Sequence, residues 1–270
     1  MHALPSLRPL FALLVLPALA QAAACTRPFV VPMSPTGLSV AISGQSVGGI
    51  YPELLRAISA KSGCAFKLSV VPRARQEALF ETGQSDLLIP ASRTARRDQL
   101  GYFVPLIANR PAAISLDTKQ APLHSIQDLL ERKELRVALV RGYDYGEAYA
   151  ALVKDLAAQG RVMMEAEPIG VARLLQAGYA DLTIMAPNIL AGAVQGDARV
   201  ESMYAKLRIE VLEELPWGEN GAYISKKAVT AEDRAALEGL LGGAAKSGAV
   251  WEAFKRYYAP DILNGSVRPR

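Results

Sequence analysis

The chain has 270 residues, 51% hydrophobic and 21% charged, the composition of an ordinary globular protein of one or two domains. A net charge of +4, with no long basic run, excludes nucleic-acid binding as the organising function. Two histidines and two cysteines, in none of the metal-ligand spacings, leave neither a metal site nor another cofactor to expect.

Residues 1–24 read as a secretory signal peptide: Arg8 supplies the positive start, Leu10 to Leu16 the apolar core, and Ala20-Gln21-Ala22 or Ala22-Ala23-Ala24 the cleavage site. The apolar run is too short to span a bilayer and Pro17 interrupts it, so a soluble, monomeric, exported protein in the oxidising periplasm is expected, without membrane insertion. Cys25 has two readings. As the first mature residue it is a candidate for a lipid anchor, but Ala22 stands where lipoprotein signals favour Leu. It also lies just before a strand at Phe29–Met33, as Cys64 lies just before one at Phe66–Val71, and parallel pairing of those strands favours a Cys25–Cys64 disulfide.

From Phe29 the elements alternate. A hairpin turns at Ser43-Gly44-Gln45, a helix starts at Tyr51 and stops at Gly63, and the strand at Phe66–Val71 follows. A helix from Ala74 to Thr82 and a strand at Asp86–Ile89, stopped by Pro90, complete a βαβαβ series. The stretch from Val70 to Pro90 has an echo about a hundred residues later, in which Pro168, Gly178 and Asp181 repeat Pro72, Gly83 and Asp86. Both Gly-to-Asp spacings are three residues, and each copy continues Asp-Leu-x-Ile, which points to two lobes of like topology. The expected organisation is a first lobe over 25–112, a second over 113–215, and a return crossing with the rest of the first lobe over 216–270. The second lobe opens with a strand at Arg136–Val140 and a helix ending near Gln159. The return crossing, Pro216 to Gly221, leads to a strand at Ala222–Ser225. Thr230 caps a helix to Leu241 with Asp233 at the capping-box position, another helix spans Ser247 to Tyr257, and the final Arg-Pro-Arg is expected to fray.

The stretch Asp86–Leu106 carries the chemistry. Thr94 is placed to cap a short helix from Ala95, and Arg96-Arg97 in its first turn oppose the helix dipole by about 0.3–1 kcal/mol each. Either both arginines face solvent, balanced by Asp98, or a bound anion before the helix, held with Ser92, reverses the sign.

Asp86 with its apolar run, then Ser92-x-Thr94-x-x-Arg97, then Tyr102, Phe103 and Pro105, resembles the signature of the family-3 periplasmic solute-binding proteins. The likeness runs from about Phe29 to Tyr258. It implies an α/β, two-lobed periplasmic-binding-protein-like (type II) fold, each lobe a mainly parallel sheet flanked by helices, with a two-crossing hinge. It further implies that Ser92 and Arg97 clamp a ligand carboxylate, and that Arg73 stands where relatives place an aromatic that stacks on the ligand.

Ligands of open α/β sheets bind beyond the carboxyl ends of the strands, which adds Arg75, Arg141, Gly142, Tyr143, Asp144 and Asn188 to the candidates. Gly142 opens a turn able to present N–H groups, and Asp144 is a candidate N-cap of the next helix. Relatives hold the ligand's α-ammonium with an acid where this chain reads Ala186-Pro187-Asn188, so the expected solute is small and anionic or zwitterionic. The leading reading is a receptor that closes on such a solute, an amino acid or related organic acid, and presents the closed form to an ABC permease or a membrane sensor. An enzyme of the cyclohexadienyl dehydratase type, with Glu53, Glu77 or Asp144 as acid or base, and a ligand-free interaction module are the alternatives.

Overall fold

The computed structural model describes residues 25–44, 46–116 and 121–270; the expected signal peptide and the turn residue Gln45 lie outside the described residues. The first part of the chain runs β1 (Phe29–Met33), β2 (Ala41–Ser43), β3 (Ser46–Gly48), α1 (Ile50–Ser62), β4 (Phe66–Val70), α2 (Arg73–Thr82), β5 (Leu87–Ser92), α3 (Ala95–Leu100) and β6 (Gly101–Asn109). Next come β7 (Ala112–Leu116), α4 (Ile126–Glu131), β8 (Val137–Val140), α5 (Glu147–Ala158), β9 (Val162–Glu165), α6 (Pro168–Gln176), β10 (Leu182–Met185), α7 (Pro187–Gln195) and β11 (Leu207–Glu210). The chain ends with β12 (Gly218–Ser225), α8 (Ala231–Lys246), α9 (Ala249–Tyr257), α10 (Pro260–Asn264) and β13 (Val267–Arg268).

These elements build the two-lobed periplasmic-binding-protein-like fold of type II. In one lobe β1 pairs with β4 in parallel, and β5, β12, β6 and β13 form an antiparallel run. The Asp86 N–H donates to the Val30 carbonyl at 2.9 Å and links β5 to β1. The other lobe is a single sheet in the order β11-β7-β10-β8-β9, parallel across β10-β8-β9 and antiparallel at β7 and β11. The sheets thus hold more antiparallel pairing than the mainly parallel layers expected, because the outgoing strand β6 and the returning strand β12 lie side by side, with Asn109 opposite Gly218. Residues 218–221 read as a Gly-rich loop but are strand for the same reason.

Pro90 does not stop β5 as expected. The strand runs on to Ser92, and its pairing with β12 skips a residue between Leu88↔Tyr223 and Ala91↔Gly221. A bulge is where a residue without an N–H is tolerated inside a sheet. Helix α8 runs to Lys246, past the expected end at Leu241, and α9 begins at Ala249. The terminal Arg-Pro-Arg is not wholly frayed: Val267 and Arg268 pair with Asn109 and Ala108 of β6. There the ring of Trp217, in the return crossing, is met by Arg110, 5.1 Å from the ring centre, and by Arg268, at 4.3 Å. Both crossings and the chain end therefore meet at one point.

The first lobe's core gathers Phe29, Leu55, Ile89, Val104, Ile224, Leu237 and Phe254 from sheet and helices. The second lobe's sheet is covered on both faces, Val140, Met185 and Leu190 belonging to one cluster and Leu139, Leu152 and Ile184 to the other. The Cys25–Cys64 disulfide is formed, its Cα atoms 5.2 Å apart, and ties the start of β1 to that of β4; it leaves Cys25 no thiol for a lipid.

The echo has a structural cause. Asp86 accepts from the Val30 N–H at 2.6 Å and from both Arg27 amino groups, at 2.9 and 2.6 Å. Asp181 accepts from the Arg136 N–H at 2.7 Å and from its guanidinium at 2.9 and 3.1 Å. Asp86 pins β1 and Asp181 pins the start of β8; the first strand of the second lobe's sheet is β7, ahead of the strand expected to open it. Asp86→Ala, with side-chain exposure of 4% against 19% for Asp181, should lose about 3 kcal/mol and Asp181→Ala roughly 1–2 kcal/mol, because desolvation deepens the cost of orphaned donors. Urea unfolding of the two variants checks the order.

Candidate functional site

The lobes meet along the carboxyl ends of their strands. From the first lobe come the loop after β1 (Ser34–Ser39), the start of α2 (Arg73), the end of β5 (Ser92) and Asn220 of β12. From the second come the loop Arg141–Gly146 and the start of α7 (Asn188). Between them lies a cavity of about 40 Å³, walled by Ser39, Tyr51, Arg73, Ser92, Asn188 and Asn220 among others. That is room for on the order of three waters, so a solute of amino-acid size needs the lobes to part.

Contact between the lobes is close. The Asn188 amide donates to the Ser39 hydroxyl at 3.4 Å, and Arg97 Nη1 reaches the Asp144 carbonyl at 3.4 Å. A Cβ on Gly37 would lie 2.6 Å from the Ile189 carbonyl, and one on Gly142 3.1 Å from the Ala74 backbone. In helix α7, a Cβ on Gly192 would collide with the Leu38 backbone and the Tyr258 hydroxyl.

Beside the cavity two guanidiniums converge on one carboxylate. Arg97 donates from Nη2 to Glu77 Oε1 at 2.7 Å and from Nε to Oε2 at 3.2 Å, while Nη1 donates to the Ser92 carbonyl at 2.8 Å. Arg73 donates from Nη2 to the same Oε1 at 2.6 Å and from Nη1 to the Pro90 carbonyl at 2.8 Å. Exposures are 0% for Arg97, 5% for Arg73 and 6% for Glu77. Arg73 lines the cavity and its buried Nε has no partner among the described residues. Burial alone would raise the Glu77 pKa; Arg73 and Arg97 outweigh it and bring it down to about 2. Burial and the Arg73 charge press the Arg97 pKa down, against the pull of Glu77.

The candidate residues fall into two groups. Arg73, Ser92, Tyr143, Asp144 and Asn188 are brought together around the cavity. Ser92 accepts from the Asn220 amide at 3.5 Å. Thr94 caps α3, its hydroxyl accepting from the Arg97 N–H at 3.3 Å. Arg97 is not among the residues lining the cavity; it is packed behind the wall, each of its guanidinium nitrogens engaged by Glu77, the Ser92 carbonyl or the Asp144 carbonyl. The cations of the first helical turn are met by the protein's own Glu77, for Arg97, and by Glu81 and Glu77, for Arg96. Arg75 and Arg141 are exposed, because Arg73 takes the inward position of the first turn of α2 and the strand end at Val140 turns the next residue outward. Asp144 is not the cap of α5, whose N-cap is Gly146; instead its carboxylate accepts from the Gly146 N–H at 2.9 Å. Gly142, with φ of 90°, makes the tight turn that lets Ala74 approach.

Asn109, Tyr51 and Asn220 also line the cavity without having been singled out; Asn220 lies in a stretch that reads as a loop, and the Tyr51 hydroxyl donates to its side-chain oxygen at 3.1 Å. The signal for Glu77 was its i,i+4 spacing from Arg73. Among the described residues no group of three or more His, Cys, Asp or Glu is placed to hold a metal ion, and no helix is long and apolar enough to cross a membrane.

No family model matches this sequence, and no curated protein sequence matches it. Solved structures match its fold. The arginine-, lysine-, histidine-binding protein ArtJ from Geobacillus stearothermophilus superposes with a TM-score of 0.70 at 16% identity, over 88% of this chain and 99% of that one. The amino acid ABC transporter substrate-binding protein AbpA from Streptococcus pneumoniae, bound to L-arginine, gives 0.68 at 18% identity, over 88% and 95%. A histidine kinase sensor domain with similarity to periplasmic binding proteins gives 0.68 at 18% identity, over 86% and 96%. At these identities the likeness establishes the fold.

Two outcomes follow for the buried cluster. Arg97→Ala leaves Glu77 with one buried partner fewer and should cost about 3–5 kcal/mol in chemical denaturation. Glu77, lowered from 4.5 to about 2, contributes stability that is complete above its unfolded pKa and lost as pH falls through the folded one. Between pH 4.5 and 2 the wild type should therefore lose roughly 3 kcal/mol that Glu77→Gln does not lose, as measured by urea unfolding against pH.

Proposed function

We propose that this protein is an exported solute receptor that closes its two lobes on a small carboxylate-bearing solute. One observation carries the reading: two buried guanidiniums share one carboxylate at the wall of the inter-lobe cavity, and Arg73 keeps a buried donor without a partner. A buried positive charge in excess is costly, and a carboxylate supplied at closure relieves that cost. Neutral donors from Ser92, Asn188 and Asn220 complete the wall and fix the solute's orientation. In this reading Arg73 is the anchor, and Arg97, held by Glu77, positions it.

The receptor reading is favoured over the dehydratase one because Glu77, the acid nearest the cavity arginines, has its pKa at about 2, far from the value a general acid or base needs at neutral pH. The relatives of like fold include both an ABC transporter substrate-binding protein and a kinase sensor domain, so the closed form has an ABC permease or a membrane sensor as its natural reader. The lobes proposed are 25–112 with 216–270, and 113–215, with a periplasmic location set by the leader at 1–24.

A thermal-shift screen of small monocarboxylates and amino acids tests the reading, since saturation at 100 times the dissociation constant adds about 2.7 kcal/mol. With the best hit, calorimetry should show Arg73→Ala weakened at least thirtyfold, the roughly 2–5 kcal/mol cost of truncating a desolvated ion pair. Gly192→Ala separates closure from anchoring: Ala suits the helix better than Gly by about 1 kcal/mol, so the variant should fold at least as well, yet bind at least tenfold more weakly because its methyl group obstructs the closed form. Wild-type affinity in both variants would remove the cleft as the binding site.

A further inference from the structure

We infer that Glu77 sets the charge of the solute: its carboxylate takes up one of the two guanidinium charges buried at the cleft, so the closed site accepts a monoanion and rejects dianions. The inference deepens the receptor reading and rests on it for the identity of the cleft as a binding site. Its evidence is the arrangement of charges. Arg73 and Arg97 lie with their Nη2 atoms 2.6 and 2.7 Å from the same Oε1 of Glu77, and the buried cluster of three carries a net charge of +1. If Glu77 served only to neutralise Arg97, a second guanidinium with a partnerless Nε would not be buried against it at the wall of a cavity.

Around the buried trio, the half-exposed Arg96 and Glu81 offset each other, and Asp144 adds one partly exposed negative charge at the cavity. Asp144, the one acid among the described residues lining the cavity, accepts from the Gly146 N–H through Oδ1, and its Oδ2 lies 3.9 Å from Arg96. The second lobe offers Asn188, an amide, at the start of α7. The buried wall of the cleft thus has one open positive charge and several neutral donors, with Asp144 the one carboxylate among the described residues that line it. The solute class that fits is a small monocarboxylate, zwitterionic or with polar, uncharged substituents. A second acid group would have to displace Glu77 from two arginines at once, or sit against its charge.

The test uses the full protein as wild type, Glu77→Gln and Glu77→Asp. Probes are propionate as the monoanion, succinate and sulfate as the dianions, and chloride as the ionic-strength control. Gln keeps the shape and removes the charge, so Glu77→Gln should raise the affinity for succinate and sulfate relative to propionate at least tenfold by calorimetry. Glu77→Asp, which keeps the charge, should retain the wild-type ratio. An unchanged ratio in Glu77→Gln overturns the inference. Should the wild type bind no carboxylate at all, the receptor reading fails on its own. The charge assignment is still read in Glu77→Gln, which should gain a sulfate-dependent rise in melting temperature that chloride at equal ionic strength does not give and that the wild type lacks. If Glu77→Gln folds poorly, sulfate should restore it; a variant that sulfate neither stabilises nor restores overturns the assignment.

Discussion

The structure depends on a carboxylate held between two arginines in a place almost closed to solvent. Arg73 and Arg97 come from different elements, the first turn of α2 and the first turn of α3, and Glu77 from one turn further along α2. Two like charges brought this close in a protein interior repel strongly, and only the negative charge between them makes the arrangement stable. Fixing those three side chains fixes the end of β5, since Arg73 holds the Pro90 carbonyl and Arg97 the Ser92 carbonyl. The wall of the cleft is therefore set by electrostatics as much as by packing. Arg97 also reaches the second lobe through the Asp144 carbonyl, so the same cluster touches both lobes.

The contact between the lobes rests on small residues. Gly37, Gly142 and Gly192 stand where the two lobes touch, and a Cβ at Gly37 or Gly192 would meet the facing backbone at 2.6 or 2.4 Å. Behind the cleft, β6 and β12 carry the chain out and back with Asn109 opposite Gly218, and β13 adds a third strand beside them. Trp217, met by Arg110 and Arg268, joins both crossings to the C-terminal segment. A hinge needs a few residues that absorb rotation while the lobes stay rigid, and each lobe here has its own apolar core.

Much of the fold was legible because it is written in local pattern. The βαβ echo, the glycines that end α1 and α2, Thr94 and Thr230 as caps, and Cys25 with Cys64 all act over short spacings or through a simple pairing rule. What escaped was tertiary. Residues 218–221 have loop composition but pair with β6, and Pro90 stays in its strand because a bulge accommodates it. The site was legible in its residue types and misread in its roles. Arginines in a helix's opening turn call for a negative partner, and the sequence does not say whether that partner is a solute or the protein's own Glu77. Likewise Arg75 and Arg73 are two residues apart at the start of a helix, and only the packing decides which points inward.

The central claim is that the lobes open and close and that a small carboxylate selects the closed state. The most direct measurement is the distance between spin labels on Lys61 of α1 and on Tyr179 of the second lobe, both exposed, with and without the solute found by screening. The account predicts a broad or two-peaked distribution in the free protein that collapses to the single distance of the closed form when solute is added. A single distribution, unchanged at saturating solute, would contradict it.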